Sequence, residues 1–165
     1  MDLQRLARHL LRTPWYVRRA FPPAAMADIG AAIAAAERSH AGEIRFAVED
    51  SLDPWALLRG QTPRERAIEV FANLRVWDTQ DNNGVLVYVL LADHAVEILA
   101  DRGIHAQVGA DAWRAICSEI EAAFKRGDFR LGAETGVASV ASVLHRHYPR
   151  EGGDGDELPD QPVLL

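Results

Sequence analysis

The sequence predicts an α/β fold, a three-layer α/β/α sandwich in which helices flank a small mixed central β-sheet. A segment of alternating apolar residues at 44–48 and a continuous apolar run at 85–91 are separated by a helical segment. This order predicts a βαβ unit with two parallel strands and a right-handed crossover. A second alternating segment at 96–100 follows the apolar run after a short turn, which predicts an antiparallel hairpin.

Length and composition place these elements in one globular domain. The chain has 165 residues, of which 48% are hydrophobic and 25% charged, as is typical of globular proteins. Its single cysteine, Cys117, excludes a disulfide framework and a multi-thiolate zinc site. The longest apolar run is far shorter than the roughly 20 residues of a membrane helix, and arginines stand where a signal peptide would be apolar. We therefore expect a soluble, cytoplasmic protein.

Residues 1–21 are predicted to form a basic amphipathic helix followed by an aromatic linker. Leucines recur there at helical spacing between arginines, and aromatic residues follow Pro14. The leucines are Leu3, Leu6, Leu10 and Leu11, and the aromatic residues are Trp15, Tyr16 and Phe21. Such a helix can pack its apolar stripe on the protein body, or it can dock on a membrane surface or a membrane protein complex. We expect packing on the body and keep membrane docking through residues 3–21 as the alternative.

Residues 22–150 are predicted to form the α/β domain itself. Pro22 and Pro23 open its first helix, which we expect to stop at Gly42, just before the first strand. A capping box at 62–65, with proline at the first helical position, starts the helix of the crossover.

Two helices are expected after the hairpin, whose turn falls at Asp93 and His94. An apolar stripe over 113–124 predicts the first of them, which ends at Gly127. The second ends before Pro149.

The net charge of −6 is distributed unevenly along the chain. Residues 1–19 hold five arginines and one aspartate, whereas residues 151–165 hold five acidic residues and no basic one. The remaining residues are also acidic overall, which argues against a nucleic-acid surface. We expect residues 151–165 to form a mobile acidic tail whose last residues, 162–165, dock on the domain.

The predicted topology brings polar side chains from three segments to one edge of the sheet. Because the hairpin strands are antiparallel, the end of the second lies beside the start of the first. The candidate metal ligands that meet there are Asp78, Asp81, Asn82, Asn83 and Asp101. Parallel pairing of the βαβ strands brings Glu43 to the same edge, and His40 lies three residues before it.

Carboxylate and amide oxygens of this kind suit a hard divalent cation, Ca²⁺ or Mg²⁺. Zinc would require His40 or His105, and Arg102 beside a metal could bind an anionic oxygen. The alternative is that these residues only cap strands and shape turns, with left-handed backbone at Asn83-Gly84. The opposite edge of the sheet is a second candidate site, formed by Glu49, Asp50, Asp53, Asp93 and His94.

Two kinds of role fit these observations. A metal at the acidic edge could take part in catalysis, but the sequence shows no P-loop, nucleophile elbow or His-Glu-x-x-His motif. The other role is a non-catalytic interaction or assembly module in which the metal is structural or regulatory. The basic amphipathic start and the acidic tail favour the module, and a metal-dependent enzyme remains the alternative.

The chain resembles the TPM domain family, named after a thylakoid lumen phosphatase and a receptor-associated membrane protein. The motifs that carry the resemblance include Asn-Asn-Gly at 82–84 and Asp-Arg-Gly at 101–103. The full set of matching segments is 40–47, 74–79, 82–89, 96–98 and 101–104. Segments 127–132 and 157–163 are similar to a soluble bacterial branch without membrane helices. The resemblance covers residues 24–150, and the tail extends it to the end.

The resemblance implies a compact α/β sandwich with a mixed sheet. It also implies that the family's presumed site falls on Asp81, on Asn82 or Asn83, and on Asp101. Some relatives bind Ca²⁺ and are acid phosphatases, and others are auxiliary factors for membrane protein complexes, including photosystem repair. The resemblance thus implies either a cation-binding assembly module or a phosphatase.

Overall fold

A computed structural model describes residues 3–12, 14–150 and 157–165. Helices and strands follow one another along this part of the chain. In order they are α1 (Leu3–Leu10), α2 (Pro14–Ala20), α3 (Pro23–Glu37), β1 (Ile44–Glu49), α4 (Pro54–Leu58), α5 (Pro63–Asn73), β2 (Val85–Leu90), β3 (Ala95–Ala100), α6 (Arg102–Val108), α7 (Ala110–Lys125), α8 (Phe129–His147) and β4 (Val163–Leu164).

The strands form one mixed sheet in the order β3-β2-β1-β4. β1 and β2 are parallel, with Ile44 opposite Val85, and α4 and α5 connect them, so the predicted βαβ unit is confirmed. β2 and β3 are antiparallel, with Val85 opposite Ala100, which confirms the hairpin. The register places the start of β1, the start of β2 and the end of β3 at one edge.

Helices cover both faces of the sheet, as the sequence predicts. Alternate residues of a strand point to opposite faces, and in β2 both sets are buried. Val85 and Val87 belong to the core that α2, α3, α7 and α8 complete. Leu86 and Tyr88 belong to the second core, under α4 and α5. Burial on both faces explains why this strand is a continuous apolar run.

The C-terminal segment, residues 157–165, packs along β1. Val163 and Leu164 pair in parallel with Ala47 and Val48. Further back, the Glu43 carboxylate accepts hydrogen bonds from the backbone nitrogens of residues 157 and 158, at 3.2 and 3.1 Å. The expected docking of residues 162–165 is therefore confirmed, and the docked segment already begins at residue 157. The rest of the predicted tail, 151–156, lies outside the described residues.

α1 docks on the protein with the opposite orientation from the one expected. Of its leucine stripe, only Leu6 packs on the body, whereas Leu3, Leu10 and the adjoining Leu11 are exposed. The buried residue of α1 is His9. The expectation that the stripe packs on the body is therefore wrong for three of its four leucines, because polar contacts hold the helix instead.

Helix boundaries differ from the predictions in a few places. α3 ends at Glu37 rather than at Gly42. The residues that follow it turn towards the end of α8, where His40 forms a β-bridge with Pro149. Residues 14–20, expected as a linker, form α2, and the short helices α4 and α6 were not anticipated. Within the described residues, no helix combines the length and the apolar character needed to span a bilayer.

Candidate metal centre

The backbone converges at the predicted edge of the sheet. The backbone N–H of Asp101 donates to the carbonyl of Gly84 at 2.8 Å, and the N–H of Val85 donates to the carbonyl of Glu43 at 2.8 Å. These two bonds join the end of β3 to the start of β2, and the start of β2 to the residue before β1. The main chain thus converges at this edge as the predicted topology requires, and the side chains decide whether a site forms.

Asn83 has a buried side-chain amide at this edge, and one of its two polar atoms lacks a hydrogen-bond partner. Its side chain is fully buried, and its Nδ2 donates to the carbonyl of Ala41 at 3.0 Å. Its backbone N–H donates to Oγ1 of Thr79 at 3.1 Å. Its Oδ1 is buried without a hydrogen-bond partner. A buried amide oxygen without a donor or a cation is costly, so this atom marks a place where a ligand would be favourable.

Asp101 holds the second such atom. It is the N-cap of α6, and its Oδ1 accepts a hydrogen bond from the backbone nitrogen of Arg102 at 2.6 Å. Its Oδ2 is buried and has no hydrogen-bond partner. Capping accounts for one carboxylate oxygen, and a bound cation would account for the other.

Three more oxygens converge in front of Gly103, two residues further along. A Cβ at position 103 would lie 2.6 Å from the carbonyl oxygen of Asn82, 2.9 Å from that of Asp81 and 3.0 Å from the hydroxyl oxygen of Tyr148. Glycine therefore keeps open a space that any other residue would fill. Asn82 has left-handed backbone, with φ of 52°, and its carbonyl also accepts a hydrogen bond from the backbone nitrogen of Ile104 at 3.2 Å.

Tyr148 lies close enough to this edge to interact electrostatically with Asp81 and Asp101. Burial raises the pKa of the Tyr148 phenol, and the negative charges of Asp81 and Asp101 raise it further. Its hydroxyl accepts a hydrogen bond from Nε2 of Gln107 at 3.0 Å. The phenol is therefore protonated at neutral pH and belongs to the oxygen-rich surroundings of Asp101. Sequence reasoning missed Tyr148, since it lies at the end of α8 and no local pattern marks it.

The remaining predicted ligands have other partners or point elsewhere. Glu43 binds the backbone of the C-terminal segment, as described above. His40 is buried, and Nδ1 bonds to the carbonyl of Gly42 at 2.9 Å. Burial lowers its pKa to about 4, so the imidazole is neutral at physiological pH with Nε2 unpartnered. Asp78 is exposed and pairs with Arg75.

Asp81 contributes its carbonyl, while its side chain is exposed, as is that of Arg102. Across the described residues, no three His, Cys, Asp or Glu side chains are grouped closely enough to hold a metal ion. The donors at this edge are therefore mainly amide, carbonyl and hydroxyl oxygens around one carboxylate. Such an oxygen set fits Ca²⁺ or Mg²⁺, whereas Zn²⁺ prefers nitrogen and sulfur.

At the opposite edge, the second candidate site, internal contacts hold most of the predicted residues, and one buried oxygen, Oδ1 of Asp50, has no hydrogen-bond partner. Glu49 accepts hydrogen bonds from Nε of Arg66 at 2.9 Å and from the hydroxyl of Tyr88 at 2.6 Å. Asp93 is bound by Arg5, and Asp53 caps α4. The other two predicted residues, Asp50 and His94, lie near Arg12. This edge is a network of ion pairs that fixes α1 and α5 on the sheet.

Comparison with known proteins finds a matching family and similar structures. The sequence profile of the TPM domain matches residues 18–143. The NMR structure of the BA42 protein from the psychrophilic bacterium Bizionia argentinensis is similar, with 32% sequence identity and a TM-score of 0.75 over 86% of this chain and 92% of that one. The N-terminal domain of a P. gingivalis protein shares the fold at 20% identity and a TM-score of 0.60, over 79% and 82% of the two chains. A comparison with curated proteins found no match.

Proposed function

The chain belongs to the TPM domain family, and on this premise we propose that it is a non-catalytic assembly module that binds Ca²⁺ or Mg²⁺ at the Asp101 edge. The observation that carries the proposal is the pair of buried oxygens without hydrogen-bond partners, Oδ1 of Asn83 and Oδ2 of Asp101. Both lie at the edge where the carbonyls of Asp81 and Asn82 face Gly103. These four residues would hold the cation.

A cation at this edge would supply positive charge to a buried carboxylate and link separate segments of backbone. The loop at 79–84 and the start of α6 both present oxygens there, so the cation would fix their relative position. The groups around Asp101 are backbone amides, carbonyls and a phenol whose pKa is raised. None of them is a nucleophile activated by a neighbouring base, which favours an ordering role over hydrolysis.

Calorimetric titration with Ca²⁺ and Mg²⁺ tests the proposal, with Asp101→Asn as the variant. Asparagine keeps an oxygen for the cap of α6 but removes the negative charge, so the fold should survive. We expect saturable binding to the wild type and a loss of affinity of about tenfold or more in the variant. Asp53→Asn is the matched control, because Asp53 is also an aspartate that caps a helix, α4, at the other edge of the sheet. Equal affinities for all three proteins, or no binding to any, would contradict the proposal.

One observation keeps the phosphatase as a second candidate. Arg102 directly follows Asp101 and is exposed, so its guanidinium could bind a phosphate oxygen beside a bound cation. Turnover of p-nitrophenyl phosphate separates the two functions. Cation-dependent turnover that is lost in Arg102→Gln would establish the enzyme, whereas cation binding without turnover supports the module.

A further inference from the structure

The outer face of α1 is apolar, although nothing in the part of the chain that the structure describes packs on it. The exposed fractions of Leu3, Leu10 and Leu11 are 67%, 58% and 80%, and Ala7 between them is exposed as well. Positions 3, 7, 10 and 11 lie on one side of a helix. α4, which packs against α1, adds the exposed side chains of Trp55 and Leu58.

Polar contacts fix α1 in this orientation. Arg5 donates to the Asp93 carboxylate at 2.7 Å, and Nε2 of His9 lies 3.1 Å from the same carboxylate. Nδ1 of His9 accepts a hydrogen bond from the backbone nitrogen of Leu52 at 3.0 Å. His9 is buried, with Nδ1 hydrogen-bonded and Nε2 beside the Asp93 carboxylate. α1 therefore cannot turn its leucines inward without breaking these contacts. The apolar face is therefore presented outward by the fold itself.

The two helices that carry this face are rich in arginine, of which Arg5 and Arg8 lie beside the Asp93 carboxylate. Between residues 3 and 20 the sequence contains five arginines and no acidic residue. α2 buries Val17 in the core and leaves Arg18 and Arg19 exposed. The Arg19 guanidinium lies over the exposed ring of Trp15, 5.3 Å from the ring centre, in a cation–π contact. Leucine, tryptophan and arginine together are the residue types that bind the interface of an anionic bilayer.

We propose that α1 and α2 form a docking surface for an anionic lipid bilayer. Leu3, Leu10 and Leu11 enter the boundary between headgroups and acyl chains, and Arg18 and Arg19 bind acidic headgroups. The body of the domain stays outside the bilayer. The proposal is independent of the cation site, since none of these residues lies at the Asp101 edge.

The test is flotation of the full chain with vesicles of phosphatidylcholine and phosphatidylglycerol, in the presence of EDTA. We expect the wild type to float with these vesicles and much less with pure phosphatidylcholine. The variant Leu10→Ser/Leu11→Ser should lose about tenfold or more in partition, because two apolar side chains leave the interface. Its thermal unfolding should match that of the wild type, since both leucines are exposed.

The matched control is Leu131→Ser, whose leucine is 59% exposed on α8 and belongs to neither α1 nor α2. It should float like the wild type. The proposal is overturned if the wild type does not bind the anionic vesicles, if it binds neutral vesicles equally well, or if the control loses as much as the double variant. Binding that appears only when Ca²⁺ replaces EDTA also overturns it, as it would belong to the cation site. Failure here leaves the calorimetric test unaffected.

Discussion

The variant Glu37→Gln should be more stable than the wild type above neutral pH. Glu37 is buried at the end of α3, and its Oε1 accepts a hydrogen bond from the backbone nitrogen of Ile44 at 2.8 Å. Burial, and then a hydrogen bond with Asp160, raises its pKa from 4.5 to about 9. The folded protein therefore keeps a proton on Glu37 at pH 7, which the unfolded chain has released.

The sign of the pH dependence follows from this difference. Below pH 4.5 the carboxyl is protonated in both states, and its contribution to stability is fully present. As the pH rises towards 9, the unfolded state binds fewer protons than the folded state, so the free energy of unfolding falls. Glutamine keeps the acceptor for Ile44 and has no proton to lose, so the variant should lack this decline.

Urea unfolding at several pH values measures the effect. Relative to the variant, the wild type should lose about 2 kcal/mol or more between pH 5 and pH 9, since each unit of pKa shift corresponds to about 1.4 kcal/mol. The control is Glu119→Gln on the exposed face of α7, which should follow the wild type. Parallel curves for wild type and Glu37→Gln would show that Glu37 is ionised in the folded protein.

Gly84→Ala should be among the most damaging single substitutions in the chain. A Cβ at position 84 would overlap the carbonyl oxygen of Val76 and approach the carbonyl carbon and Cγ1 of Val76 to 3.1 Å. The oxygen belongs to the backbone, so no change of rotamer relieves the overlap. Gly84 also accepts the hydrogen bond of Asp101, which limits any shift of its own backbone. We expect a loss of about 3 kcal/mol in the free energy of unfolding.

Thermal or urea unfolding of the purified variant gives the measurement. Gly30→Ala in α3 is the control, because its closest neighbour would be the Pro162 side chain at 3.2 Å. Alanine is also favoured over glycine in a helix, so the net change there should stay within about 1 kcal/mol. A Gly84→Ala variant as stable as Gly30→Ala would show that the 76–84 loop can move away from the sheet, and that the Asp101 edge is not rigid.

Local signals in the sequence were sufficient for the βαβ unit and the hairpin. The apolar run at 85–91 is continuous because β2 is buried on both faces, and the capping box at 62–65 forms as predicted, with Thr62 and Glu65 hydrogen-bonded to each other's backbone. Periodicity shows that a helix has an apolar stripe, but it does not show which face of that helix packs against the rest of the protein. For α1 that choice depends on Asp93, which is far away in sequence and binds Arg5 and His9.

The candidate site could be predicted only as a location. Hairpin and βαβ geometry correctly placed Asn83, Gly84 and Asp101 at one edge. The apolar pattern and the turn position, both local features of the sequence, determine which residues of the two strands lie opposite each other. Residue type alone could not show that Glu43 would bind the C-terminal segment. Nor could it show that the oxygens near Gly103 would include backbone carbonyls and the Tyr148 hydroxyl, since carbonyls are common to every residue.

The most direct test of the central claim is a titration of the protein with Ca²⁺ and with Mg²⁺, followed by amide NMR. Binding at the Asp101 edge predicts saturable shifts centred on residues 79–84 and 101–104, with those of Asp101→Asn greatly reduced. The amide signals of residues 49–53, at the other edge of the sheet, should not shift. Flat titrations, or shifts centred on the acidic residues of the C-terminal segment, would contradict the account and reduce the Asp101 edge to a capped turn.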